Sequence, residues 1–150
     1  MTVEEYIQYR TGANKISSIV LNMFVKPFFA SSLSSFWRYW NPGFGFYLLY
    51  YIYKPMRNIF PHWISFIITF VICGLLHDIL YIVPLAMLDG LSFVLPFISV
   101  WFLIIASGIL MTEFLQIDFR KTNKAIRPIL HLGYLLATFC LTRYIDLWIG

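Results

Sequence analysis

Histidine, asparagine, arginine and cysteine are the residues of this chain that could do chemistry where water is scarce. His77 interrupts the run "HWISFIITFVICGLLHDILYIVP" over residues 62–84, otherwise broken only by Asp78. An ionisable group at that depth costs a few kcal/mol, so it faces a protein interior or a watery cavity. An imidazole with a reference pKa of about 6.5 is the usual choice for taking a proton near neutrality. On a helix Cys73, Gly74 and Tyr81 share its face, which leaves a small-residue gap beside the ring. Position alone allows two readings, a histidine at a reactive site and one hydrogen-bonded to a neighbouring helix.

A second concentration of such residues lies upstream in "SFWRYWNPGFGFYLLYYIYKP", residues 35–55, which sets Trp37, Arg38, Trp40 and Asn41 ahead of a Pro/Gly turn. The Asn41 amide offers a donor and an acceptor, and Asn-Pro is also a plain turn signal. Arg38, Lys54 and Arg57 bring positive charge. Cys73, four residues before His77, has the spacing of a thiol–imidazole pair, although small residues are common at helix contacts. Asp78 points about 100° away from His77 and is expected to line a polar surface or snorkel outward. The three histidines, His62, His77 and His131, lack metal-ligand spacing, so no metal is expected. No glycine loop fit to cradle phosphate and no nucleic-acid footprint is present.

The elements that hold these residues must be membrane helices. Hydrophobic residues make up 60% of the 150 and aromatic residues 20%, with a mean hydropathy of +0.75, more apolar surface than a soluble domain of this length can bury. Crossing a bilayer takes about 20 helical residues. Three spans fit, at 62–84, about 93–115 and about 129–149, with Trp63 and Tyr81 as interface anchors and His131 opening the third. Residues 16–26 alternate apolar Ile16, Ile19, Val20, Met23 and Phe24 with Ser17, Ser18, Asn22 and Lys26, which predicts an amphipathic helix that packs on the others or lies in the headgroup plane. "FGFYLLYYIY", 44–53, is too short to cross and reads as a re-entrant or interfacial helix bounded by Gly and Pro. The expected fold is therefore an all-α integral membrane protein, one domain over 1–150, with about three transmembrane helices.

Charge gives the sidedness. Basic residues collect in 38–57 and 120–127, while the stretch around Asp89 has none, so both basic loops are expected in the cytoplasm. In a bacterium the host would be the cytoplasmic membrane. The N-terminal stretch, with Glu4, Glu5, Arg10 and Lys15, has no apolar core and is not expected to be a signal peptide. Cys73 and Cys140 lie in apolar runs and suggest no disulfide.

"SFWRYWNP", then "YIYKPMR", then an apolar helix ending "CGLLHD" resembles the signature region of the membrane-bound O-acyltransferases, with several blocks in the family's order over roughly residues 15–85. The resemblance implies a helical chamber in which an acyl group passes from a thioester, acyl-CoA or an acyl carrier, to a hydroxyl acceptor. It implies His77 as catalytic base and Asn41 as its upstream partner, orienting the ring or donating to the developing oxyanion. Trp37, Trp40, Arg38, Lys54 and Arg57 are then substrate-binding candidates, the cations for donor phosphates. No bound cofactor is expected. The alternative is a non-catalytic relative acting as a membrane subunit or small binding scaffold. Three spans enclose little space, so self-association or a larger membrane partner is expected, with Gly74, Ala106, Ser107 and Gly108 able to admit a close helix.

Overall fold

The computed structural model describes residues 1–82, 84 and 96–149. All regular structure among them is helical: α1 (Val3–Thr11), α2 (Ile16–Phe28), α3 (Leu33–Tyr39), α4 (Pro42–Tyr47), α5 (Lys54–Arg57), α6 (His62–His77), α7 (Phe97–Phe114) and α8 (Arg127–Ile149), with π-helical turns at Leu48–Tyr53 and Asp78–Ile82. Three helices are long and apolar enough to cross a membrane, His62–Tyr81, Phe97–Phe114 and Arg127–Ile149, matching the expected spans. Residues 93–95 of the second expected span, and the loop around Asp89, lie outside the described residues.

Helix α8 shows what solvent this fold is built for. Its buried positions are His131, Thr138, Thr142 and Asp146, while Leu132, Leu136, Phe139, Leu147 and Trp148 are exposed. Polar groups face the interior, bonded across it or, as with Thr142 to the Thr138 carbonyl, within α8, and apolar side chains face outward, the arrangement a lipid environment demands. Trp101 Nε1 donates to Thr138 at 3.0 Å and Tyr134 Oη donates to the Ile105 carbonyl at 2.7 Å, joining α7 to α8. The amphipathic helix α2 follows the same rule. Asn22 donates to the Thr11 carbonyl at 2.9 Å, whereas Ile16, Val20, Leu21 and Phe24 stand exposed.

The stretch 38–57 is not a loop, and its short helix does not stop at Pro55. Asn41 caps α4 with its Oδ1 accepting from the Phe44 amide at 3.2 Å, and Pro42 fills the first turn, where no N–H is required. From there the helical path runs through the π turn to Arg57. Pro55 lacks a donor and would clash with the carbonyl four residues back in a regular α-helix, and the wider π turn ahead of it takes up that mismatch. This helical rod lies antiparallel to α6, with Phe44 against His77 (5.8 Å between ring centroids) and Tyr53 against His62 (6.1 Å).

Asp78 neither snorkels nor lines a polar surface. It is buried, and its carboxylate accepts from the Ile98 and Ser99 amides, both at 2.8 Å, and from Ser99 Oγ at 2.6 Å. Pro96 precedes α7 without any side-chain cap of its own, so α6 supplies the missing N-terminal cap from across the helix pair. Gly74 makes the approach possible, because a Cβ there would stand 2.5 Å from Ser99 Cα. Gly74 and Gly108, the latter facing the Tyr134 ring, and buried Ala106 are thus used inside the chain, whereas Ser107 is exposed on α7.

Candidate active site

A cavity of about 400 Å³ opens between the rod, α1, α3, α6 and α7. His77 stands at one end, with Phe44 of the rod against its ring, and Asn41, Trp37, Arg38 and Trp40 also line the cavity. Trp37 is placed by edge contacts to Phe70 (5.4 Å) and Phe102 (5.7 Å), so α3 is keyed into the α6–α7 pair by its indole. Residues 29–31, which lead into α3, are held from the other side of the molecule. Arg127 donates to the Phe29 carbonyl at 3.3 Å, the Phe119 amide to the Ser31 carbonyl at 2.7 Å, and His131 Nε2 bonds the Ala30 carbonyl at 3.1 Å.

His77 has its two nitrogens in different situations. Nδ1 lies 2.7 Å from the Cys73 carbonyl oxygen, and because a carbonyl only accepts, that bond assigns the proton to Nδ1. In the neutral ring Nε2 then carries the lone pair, and no described residue bonds it. Phe44, Tyr81 and Phe102 flank the ring with centroids at 5.8, 5.8 and 5.5 Å. Cys73 Sγ is 3.9 Å from Nδ1, the nitrogen already committed to the carbonyl, so the imidazole is not placed to take the thiol proton. The α-helix ends at His77 and the π turn begins at Asp78, so the carboxylate bonded to α7 also fixes the backbone that carries the imidazole.

Asn41 uses its amide oxygen for the α4 cap and adopts a left-handed backbone, φ 41°, which asparagine tolerates better than most residues. Among the described residues no acceptor takes a hydrogen bond from its Nδ2. Lys54 and Arg57 do not line the cavity. The Lys54 ammonium sits 3.7 Å over the Tyr50 ring, and Arg57 donates to the Phe60 carbonyl at 2.8 Å.

Sequence pattern did not point to the opposite end of the cavity. Tyr53 Oη is 2.8 Å from His62 Nδ1, and His62 Nε2 is 3.5 Å from the Glu113 carboxylate, joining the rod, α6 and α7. At an α-helical rise this cluster is about 22 Å from His77 along α6. His62, the first residue of the first expected span, is part of the cavity wall, as are Glu113, Tyr53 and Arg10. Among the described residues no group of three His, Cys, Asp or Glu side chains could hold a metal ion.

The sequence pattern of MBOAT, the membrane-bound O-acyltransferase family, matches residues 5–103. The chain belongs to that family. The matched segment contains most of α1, all of α2 to α6 and the start of α7, and with them Asn41, His77 and nearly the whole cavity wall. No curated protein and no solved structure matches the chain. Membership makes acyl transfer at a membrane the activity of its family, and the three apolar helices place this MBOAT chain in the bilayer.

Proposed function

We propose that this MBOAT chain transfers an acyl group from a thioester, acyl-CoA or an acyl carrier, to a hydroxyl acceptor, with His77 as general base. What carries the reading is the His77 ring itself, which lines the cavity of the family-matched segment with Nδ1 committed to the Cys73 carbonyl and Nε2 bonded by none of the described residues. Nε2 takes the proton of the acceptor hydroxyl as its oxygen attacks the thioester carbonyl. The tetrahedral oxyanion collapses, the C–S bond breaks, and the proton on Nε2 passes to the departing thiolate. Asn41 Nδ2 is the side-chain donor for the oxyanion, and capping does not compete because the cap uses Oδ1.

The apolar middle of the cavity, walled by Trp37, Phe66, Phe70 and Phe102, suits an acyl chain, and Arg38 suits a phosphate on the donor. Lys54 and Arg57, outside the cavity, serve topology: with the 120–127 loop they mark the cytoplasmic side. The His62–Glu113 contact, which joins the start of α6 to the end of α7, is consistent with Lys54, Arg57 and the 120–127 loop lying at one end of the bundle, while Arg38 precedes the other end of the rod, where Phe44 packs on His77.

The test is release of free thiol from acyl thioesters by purified protein with and without hydroxyl acceptors. Acceptor-dependent release, reduced by two to four decades in His77→Gln at unchanged folded yield, is the expected result. Absence of release from every donor, or near-parental activity in His77→Gln, would return the chain to a non-catalytic membrane subunit.

A further inference from the structure

The polar cluster at the far end of the cavity takes no part in the His77 reaction. Tyr53, His62 and Glu113 reach it from the rod, α6 and α7, and all three line the cavity. The Glu113 carboxylate only accepts, and at 3.5 Å from His62 Nε2 it draws the ring proton to that nitrogen. Nδ1 then holds the lone pair, and Tyr53 Oη, 2.8 Å away, donates its proton to it. Phe66, one turn along α6, packs on the imidazole with ring centroids 5.8 Å apart, and the Tyr53 ring stands edge-on to it at 6.1 Å. The cluster is open to a ligand, since the His62 side chain is 50% exposed and that of Glu113 36%.

A hydroxyl, an imidazole that accepts its proton and a carboxylate that holds the other ring nitrogen are the parts of a nucleophilic triad, which is recognised by these roles and not by residue order. Here the hydroxyl is phenolic. A phenol has an ordinary pKa of about 10 and a thiol about 8.5, so the two are similar leaving groups. An acyl group can therefore pass from sulfur to a phenolic oxygen at little cost and remain activated toward water.

We propose that Tyr53, with His62 as its base and Glu113 holding that base, is a second nucleophile of the cavity and takes the acyl group of a thioester as an O-acyl tyrosine. Only the choice of a thioester as donor rests on the acyl-transfer reading; the site and the product differ. Tyr53 Oη gives its proton to His62 Nδ1 as it attacks the thioester carbonyl. The C–S bond then breaks, and Nδ1 passes the proton to the departing thiolate. Water next attacks the phenyl ester, Nδ1 takes a proton from it, and the free acid leaves as that proton returns to the Tyr53 oxygen. His62 and His77 are about 22 Å apart along α6, so they cannot serve one carbonyl, and the Tyr53 reaction is an acceptor-independent activity of its own.

The test uses the full chain in detergent carrying His77→Gln, which removes the base of the other reaction and leaves this cluster intact. Octanoyl-CoA, or the octanoyl thioester of N-acetylcysteamine, is added without any alcohol. Acid-quenched samples are read by mass spectrometry of the intact chain and its peptides, and free thiol is followed in parallel. One octanoyl group should replace one proton on the peptide that carries Tyr53, with release of thiol. Tyr53→Phe keeps the ring and its packing and should lose both. His62→Gln should slow labelling by about two decades or more, the loss expected for a general base. Glu113→Gln should slow it by about tenfold or more, and Glu113→Asp should restore part of that rate, as a carboxylate that holds the base requires. The parental chain assayed without alcohol gives the same comparison should His77→Gln not fold. Absence of both the adduct and Tyr53-dependent thiol release, or labelling and release unchanged in Tyr53→Phe, overturns the proposal. Acylation of an added alcohol by the parental chain with neither sign at Tyr53 leaves the His77 reaction standing and removes this one. An adduct at Tyr53 in a chain that acylates no alcohol does the reverse.

Discussion

Replacing Asp78 by alanine removes the acceptor for three donors at once, the Ile98 and Ser99 amides and the Ser99 hydroxyl. The hydroxyl can turn to another acceptor, but the two amides belong to the first turn of α7 and have no carbonyl behind them. Leaving a buried donor unmade costs about 1–3 kcal/mol, and these bonds are strengthened by the carboxylate charge, so Asp78→Ala should destabilise the fold by about 3–5 kcal/mol. Against a typical total of about 5–15 kcal/mol that is a large fraction. Asp78→Asn retains one oxygen and should lose about 1–3 kcal/mol, while Ser99→Ala removes only the hydroxyl bond and should lose about 1 kcal/mol. Reversible unfolding of the three variants in mixed micelles, followed by circular dichroism, would give the order. Because the same backbone carries His77, folded Asp78→Asn should also show reduced turnover. If Asp78→Ala unfolds at the parental midpoint, the carboxylate does not cap α7.

Gly74→Ala should destabilise by about 1–3 kcal/mol in the same assay, because the added Cβ meets Ser99 backbone, which cannot rotate away; Gly45→Ala, with nothing within 4 Å of its Cβ, is the control and should stay near the parental value. His131→Ala should lower folded yield and stability by about 2–4 kcal/mol, since a ring 1% exposed that ties α8 to Ala30 is lost, while turnover per folded molecule stays close to parental. Asn41→Gly keeps the left-handed backbone and loses both the cap and the Nδ2 donor, so it should lose about 10²–10³ in kcat with only a few tenths of a kcal/mol in stability. Should Asn41→Gly keep parental kcat, its amide serves the α4 cap alone.

The expected small effect of His131 on chemistry stands beside a structural role that sequence did not suggest. From the chain alone His131 is one more polar residue near the start of a span, and only the fold brings it to the Ala30 carbonyl. Asp78 illustrates the same limit. Its distance in angle from His77 along one helix was legible, but its partners lie on another helix and could not be read from helical spacing.

Class, span positions and the location of His77 and Asn41 were determined by sequence, because hydrocarbon length, apolar composition and the order of local blocks are properties of neighbouring residues. Trp37, Arg38 and Trp40 were legible as candidates for the same reason, and they do line the cavity with His77. Lys54 and Arg57 looked equivalent to Arg38 in the chain, yet the rod that begins at Asn41 carries them out of the cavity. Arg10, Tyr53, His62 and Glu113 entered it without any linear signal. Which charges meet a cavity depends on how helices distant in sequence are rotated and packed, through contacts such as Tyr6 on Phe46 and Trp37 on Phe70. A side chain's polarity can say that it must avoid lipid; its partner is chosen only when the helices close.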